Sequence, residues 1–292
     1  MNQDSRAQRQ SIHSLYSLVC VLTLFFVAIF NVSAATTESH FSKLSGEPKL
    51  RSASALITDS SGEIIYSKDV DTVRPIASLT KLMTAMVILD SGLSLDEKIT
   101  ITKEDRDLVR LTGSRLEYGA TLSRREMLQL ALMSSENRAA TALGRTYPGG
   151  MNKFVAAMNI KAGSLGMSDS QFSDPAGLHT NNQATASDVS KMVAAARSYS
   201  LITQATTTTR KEVHPYSKRG PLRYGNTNRL LKNKSWDIAL SKTGYINEAG
   251  RCLVMSASID GEEVSIILLN SFGKLTPFGD SNRLRKWMLA NS

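Results

Sequence analysis

Apolar positions fall along this chain in three patterns. The first is a continuous run. Leu82, Met83, Ala85, Met86, Val87, Ile88 and Leu89 leave no polar face, which predicts a helix buried on all sides. Pro75 stands just ahead of its start, where a missing N–H does no harm, and Ser91-Gly92 ends it. The second pattern is strand-like runs around turn residues. Residues 53–58 and 63–66 flank Asp59-Ser60-Ser61-Gly62, and residues 251–259 and 264–270 flank Asp260-Gly261-Glu262, so each set predicts a hairpin. The third pattern is helical. Ser123 and Glu126 form a capping box that opens a helix through Leu132. A second helix runs from about Glu136 to Tyr147-Pro148-Gly149-Gly150. Met151, Phe154, Val155, Met158 and Ala162 mark a third that stops at Gly166, and residues 186–198 make a fourth. Residues 280–290 close the chain as a helix striped by Leu284, Trp287 and Met288. A terminal helix packed on a sheet is the expectation, with a membrane-surface helix as the competing reading.

Strands at both ends therefore bracket a helical middle. The economical fold is α+β: one antiparallel sheet of about five strands built from both chain ends, covered by helices, with an inserted helical lobe. At 292 residues with 41% hydrophobic content, the chain is long enough to bury a sizeable core.

The first thirty-odd residues depart from this plan. Arg6 and Arg9 precede an apolar run over 15–30, followed by Asn31-Val32-Ser33-Ala34-Ala35. That order describes a secretory signal peptide, residues 1–34, cut after Ala34; an uncleaved anchor is the alternative. Residues 35–50 then form a polar tether, and 51–292 the functional domain. Cleavage removes Cys20 and leaves Cys252 alone in a strand-like run, so the core needs no disulfide and Cys252 is a small buried apolar residue.

Formal net charge is +9, of which +8 stays with the mature chain. An exported cation suits an anionic partner such as a cell-wall polymer or a membrane surface. No basic stripe interleaved with aromatics indicates nucleic acid. His40, His179 and His214 lack the paired spacing of a zinc site.

The candidate chemistry begins at Ser78 and Lys81, three apart on the first turn of the buried helix. A lysine there accepts the serine's proton if burial or a second cation depresses its pKa. The spacing alone is weak, because Ser271-Phe272-Gly273-Lys274 repeats it in a loop. Two further elements follow in order: Ser135-Glu136-Asn137 between two helices and Lys242-Thr243-Gly244 on a strand. Ser-x-x-Lys, Ser-x-Asn and Lys-Thr-Gly together form the set of penicillin-binding proteins and serine β-lactamases.

Around these motifs, Arg74-Pro75-Ile76-Ala77-Ser78-Leu79-Thr80-Lys81, Leu132-Met133-Ser134-Ser135-Glu136-Asn137-Arg138 and Asp174-Pro175-Ala176-Gly177-Leu178 resemble the low-molecular-mass D-alanyl-D-alanine peptidases. Tyr147-Pro148-Gly149-Gly150 and residues 242–252 are most similar to the endopeptidase subgroup, of penicillin-binding protein seven type. Ala176, and Asn182-Gln183-Ala184-Thr185, depart from the usual pattern, which bears on substrate preference.

The resemblance implies a β-lactamase/transpeptidase-like fold, a periplasmic location, peptidoglycan stems as substrate and β-lactams as covalent inhibitors, without metal or organic cofactor. It also implies the roles. Ser78 is the nucleophile, Lys81 its base, and Ser135 the relay to the leaving amine. Asn137 orients the acyl side, and Lys242 and Thr243 bind the substrate carboxylate, with Lys242 also keeping Lys81 neutral. Gly244 admits the substrate backbone, and the N–H groups of Ser78 and Tyr245 form the oxyanion hole. Between Asn137 and Lys211 there is no glutamate to activate a deacylating water, so a β-lactam is expected to acylate and stay. The motifs leave D-Ala–diaminopimelate crosslink cleavage and D-alanyl-D-alanine carboxypeptidase action both open. A non-catalytic wall-binding protein is the alternative of a different class.

Overall fold

Period-two alternation sorts the strand side chains into two cores. In β1 (Ser52–Asp59) Leu56 faces one core while Ala55 and Ile57 face the other. In β10 (Gly250–Ile259) Cys252 and Val254 face the first and Leu253, Met255 and Ala257 the second. In β11 (Glu262–Ser271) Ile267 and Leu269 oppose Val264, Ile266 and Leu268. A strand buried on both faces needs cover on both. The computed structural model, which describes residue 41 and residues 44–291, places helices on each side.

Five strands form the main sheet in the order β2-β1-β11-β10-β9, with β2 at Ile64–Lys68 and β9 at Asp237–Ile246. Every pairing is antiparallel, and β1 joins β11 from Ser52 opposite Ser271 to Asp59 opposite Val264, so both chain ends build the sheet as expected. Asp260 and Gly261 both take positive φ in the β10–β11 turn, which suits the twist of a two-residue hairpin loop.

The helices, in chain order, are α1 (Thr80–Asp90), α2 (Arg124–Met133), α3 (Asn137–Arg145), α4 (Gly150–Ser164), α5 (Ala186–Arg197), α6 (Ser200–Thr207) and α7 (Thr276–Asn291). All of α1 from Thr80 to Ile88 is buried, as its unbroken apolar run predicts. Each fully buried Leu, Ile or Met side chain there contributes about 1.5–3 kcal/mol. Helices α1 to α6 lie between β2 and β9 and make the inserted lobe, which shares the first core.

Helix α7 packs on the other face of the sheet through Leu284 and Met288. The Asp280 carboxylate pins it there by accepting the N–H of Ser52 (2.7 Å) and of Arg51 (3.1 Å). The competing reading of this helix as a membrane-surface element therefore loses its apolar stripe to the sheet.

Among the described residues, no helix is long and apolar enough to cross a membrane. The expected signal peptide, residues 1–34, and the start of the expected tether lie outside the described residues. The rest of the tether is less loose than its polarity suggests: Phe41 and Pro48 are buried, and Phe41 belongs to the core under α7.

Three short pairs complete the fold: β3 (Arg74–Pro75) with β6 (Gln183–Ala184), β4 (Lys98–Thr100) with β5 (Thr121–Ser123), and β7 (Arg210–Val213) with β8 (Leu222–Gly225). Pro75 thus ends a two-residue strand before the helix begins.

Candidate active site

The backbone turns sharply just before Ser78. Ala77 takes φ +48°, a left-handed conformation that costs a residue with a Cβ about 1 kcal/mol. A single 3-10 turn, Ala77–Leu79, then feeds α1. The turn is held from outside by Gly177, where a Cβ would lie 1.9 Å from the Ala77 carbonyl oxygen; only glycine allows that approach. Ser78 stays partly exposed at the mouth of a cleft, while Lys81, one turn deeper, is fully buried.

Lys81 Nζ lies 2.9 Å from Ser78 Oγ, and it donates to Asn137 Oδ1 (2.8 Å) and to the Ala176 carbonyl (2.6 Å). Burial lowers its pKa from 10.5 to about 7, against the opposing pull of Asp174, Glu136 and Asp107. A neutral amine has two N–H groups and one lone pair. Asn137 Oδ1 and the Ala176 oxygen can only accept, so they take both N–H groups. The lone pair is left for the one partner with a proton to give, the Ser78 hydroxyl.

Each acceptor is itself fixed. Asn137, on the first turn of α3, donates Nδ2–H to Thr112 Oγ1 (2.9 Å), and the Thr112 hydroxyl donates to Asp107 Oδ2 (2.7 Å). This relay turns the amide so that Oδ1 faces Lys81. Asp107 also accepts the N–H of Val109, Arg110 and Thr112. Burial alone would raise its pKa, but these donors outweigh it and hold the carboxyl below the usual range. On the other side, the Asp174 carboxylate gathers the N–H groups of Ala176, Gly177, Leu178 and His179, which holds the Ala176 oxygen over Lys81.

Ser135 sits between α2 and α3 at φ +60°. Its Oγ accepts from Lys242 Nζ (3.0 Å), which also donates to the Thr243 carbonyl (3.0 Å). Lys242 is buried, and burial first and Lys81 second push its pKa well below the ordinary value. Burial is thus the leading cause at both lysines, the first of the two causes that the sequence allowed, and repulsion between the neighbouring amines adds to it.

Lys242, Thr243, Gly244 and Tyr245 lie on β9, the edge strand beside the Ser78 turn. A Cβ on Gly244 would come within 3.0 Å of the Ile76 oxygen and 3.1 Å of Ser78 N, so a glycine is what lets strand and turn touch. Thr243 donates its hydroxyl to Thr227 Oγ1 (2.7 Å). The Tyr245 side chain is half exposed, with the Arg251 guanidinium 3.6 Å from its ring centre.

Two cavities meet at Ser78, Asn137 and Tyr245. One, of about 320 Å³, is walled by Ser135, Thr227, Thr243, Arg251 and Lys274; the other, of about 340 Å³, by Arg110, Thr112, Leu178 and Asn247. Among the described residues, neither wall carries a carboxylate. Glu212, the nearest glutamate before Lys242 in the chain, is paired with Arg223 on the β7–β8 hairpin instead. Cys252 borders the first cavity but is buried, which pushes its thiol up to about 11 and leaves it unreactive.

All eight sequence-predicted residues thus gather around one cleft. Sequence reasoning missed Asp107, Thr112, Arg110 and Thr227. The signal for Asp107 was an aspartate two to five residues ahead of the N–H groups it gathers, a common loop device.

Comparison with known proteins places this arrangement. The description D-alanyl-D-alanine carboxypeptidase, peptidase S11, matches residues 42–273. The chain is 45% identical over 272 residues to a D-alanyl-D-alanine endopeptidase of Pseudomonas aeruginosa, covering 93% of this chain and 88% of that one. It is 44% identical over 279 residues to a D-alanyl-D-alanine endopeptidase of Escherichia coli, covering 94% and 87%. Among solved structures, the Streptomyces K15 DD-transpeptidase superposes with a TM-score of 0.78 at 28% identity, covering 84% of this chain and 100% of that one. A D-alanyl-D-alanine carboxypeptidase of Mycobacterium tuberculosis gives 0.77 at 25%, covering 85% and 95%.

Proposed function

This chain belongs to the peptidase S11 family of serine DD-peptidases, and from that premise we propose that it is a D-alanyl-D-alanine endopeptidase cleaving D-Ala–diaminopimelate crosslinks of peptidoglycan through an acyl-enzyme on Ser78. The observation that carries the chemistry is the 2.9 Å approach of a buried, depressed Lys81 amine to Ser78 Oγ, with both its N–H groups committed elsewhere.

Ser78 Oγ attacks the D-alanine carbonyl as its proton passes to Lys81. The developing oxyanion meets the N–H groups of Ser78 and Tyr245. The proton taken up by Lys81 reaches the departing amine through the Ser135 hydroxyl, which accepts one proton as it gives one up; the neighbouring carboxylate of the leaving group is met by Lys242 and Thr243. That carboxylate restores the charge that burial takes from Lys242. Water then attacks the ester and frees Ser78. Since among the described residues no carboxylate lines the two cavities to activate water against a penicilloyl ester, β-lactams acylate and remain.

Crosslink cleavage is preferred over carboxypeptidase action on the strength of the two endopeptidase relatives at 45% and 44%, against 31% over 223 residues for a Streptomyces D-alanyl-D-alanine carboxypeptidase. We place the catalytic unit at residues 51–292, exported to the periplasm by a cleaved signal over 1–34 and able to associate peripherally with the membrane. Digestion of crosslinked peptidoglycan tests this: crosslinked dimers become monomers while pentapeptide stems persist. Loss of pentapeptides with dimers intact refutes the endopeptidase assignment. Failure of a fluorescent penicillin to label the wild type, or its labelling of Ser78→Ala, refutes the acyl-enzyme on Ser78.

A further inference from the structure

With Lys242 and Thr243 taking the leaving-side carboxylate, the cavity away from them is the one left for the acyl side of the scissile bond, and among the described residues Arg110 is the only charged group on its wall. Arg110 is not a solvated surface cation. Its Nε donates to the Leu178 carbonyl at 2.6 Å, which fixes the guanidinium plane, and Nη2 lies 2.8 Å from Glu248 Oε2 in the β9–β10 turn. The arginine side chain is 19% exposed and the glutamate 49%. The loop that carries Arg110 is strained: Leu111 stands at φ +55°, and that turn lets Arg110 and Thr112 both face the cleft while Leu108 and Leu111 stay exposed.

The two bonds of this guanidinium differ in permanence. The carbonyl is part of the Asp174 loop and stays. The glutamate is half in water, where such a pair contributes little and exchanges readily. A carboxylate arriving in the cleft would meet the same edge with less water around it, where a charge-assisted bond is stronger.

We propose that Arg110 binds a carboxylate carried by the acyl-side peptide, and that Glu248 holds its place while the cleft is empty. The proposal rests on the acyl-enzyme reading above and adds a preference for anionic donor stems.

Two penicillins test it, identical except that the acylamino side chain ends in a carboxylate in one and a carboxamide in the other. The β-lactam carbonyl stands for the scissile one, so this side chain enters the acyl-side cavity. The measurement is the ratio of their acylation rate constants on the full mature chain. In the wild type the carboxylate reacts about tenfold faster at low salt. Arg110→Gln brings the ratio to about one, whereas Glu248→Gln raises it by removing the competitor. A clasp with no part in recognition would change both penicillins alike in both variants. That result, or a wild-type ratio near one with normal acylation, overturns the proposal alone. Absence of acylation by either penicillin overturns the acyl-enzyme reading and this inference with it.

Discussion

The rate of Ser78 acylation should follow the neutral fraction of Lys81. An exposed lysine at 10.5 is neutral in about 0.03% of molecules at pH 7, and one lowered to about 7 in about half. Burial thus enlarges the pool of active base about a thousandfold, equivalent to roughly 4 kcal/mol. Across pH 6 to 8 the neutral fraction climbs from about one tenth to about nine tenths, so acylation by a penicillin should rise about tenfold, with its midpoint near 7. Stopped-flow or gel-based acylation kinetics with a β-lactam that does not titrate in this range reads the profile directly. Glu136→Gln supplies the decisive perturbation. The Glu136 carboxylate pulls the Lys81 pKa upward and accepts the Ser114 hydroxyl at 2.6 Å, a bond that an amide oxygen can keep. Its loss should move the midpoint to lower pH. Asp174 would be a poorer choice, because its carboxylate also gathers the N–H groups that hold the Ala176 oxygen in place. A flat profile between pH 6 and 8, a rise confined to pH above 9, or a midpoint that moves upward in Glu136→Gln would refute the reasoning.

Three further outcomes follow from the geometry. Gly244→Ala should fold normally but acylate at least about tenfold more slowly, because the new methyl meets backbone atoms of Ile76 and Ser78 at 3.0 and 3.1 Å; unchanged acylation would contradict the contact. Thr112→Val should slow acylation about tenfold by freeing the Asn137 amide, and Thr112→Ser should restore it; equal rates in the two variants would remove the relay from the mechanism. Stability should rise between pH 7 and 8.5. Lys81 and Lys242 have folded pKa values below their unfolded ones, so in this window the unfolded chain binds more protons, worth up to about 1.4 kcal/mol per pH unit for Lys81; denaturant midpoints that fall over the same window would be inconsistent with two buried amines.

What the sequence made legible and what it hid divide along physical lines. The sheet was legible because β1, β10 and β11 are long and almost wholly apolar, and α1 because its run has no polar face. The β7–β8 pair was not, since Arg210, Lys211 and Glu212 carry no strand signal and only Val213 and Tyr224 are buried there. Helix α6 hid behind a threonine-rich stretch whose intrinsic preference is for strand; burial of Ile202 and Ala205 overrides it. In the site, the reacting groups were legible by type and spacing. Their supports were not, because Asp107, Thr112 and Thr227 are ordinary polar loop residues that act only through distant partners. The order of causes behind the Lys81 pKa was hidden for a related reason. Spacing shows which amines share a site, but depth is set by the whole lobe.

The chain contains its own control for that last point. Ser271-Phe272-Gly273-Lys274 has the same spacing as Ser78 to Lys81, and Lys274 even borders the same cleft. Yet the burial is inverted. Ser271 is buried at the end of β11, with its hydroxyl 2.7 Å from that of Ser52, while Lys274 is exposed. A serine with no path to substrate and an amine in full water make no nucleophile, whatever their separation. Ser78 differs by being open where Lys81 is closed. Three elements close it: α1 supplies the amine, the Asp174 loop supplies the carbonyl above it, and α3 supplies the amide beside it. Reactivity therefore resides in the step of exposure across one helical turn, which the inserted lobe creates and the four-residue pattern only permits.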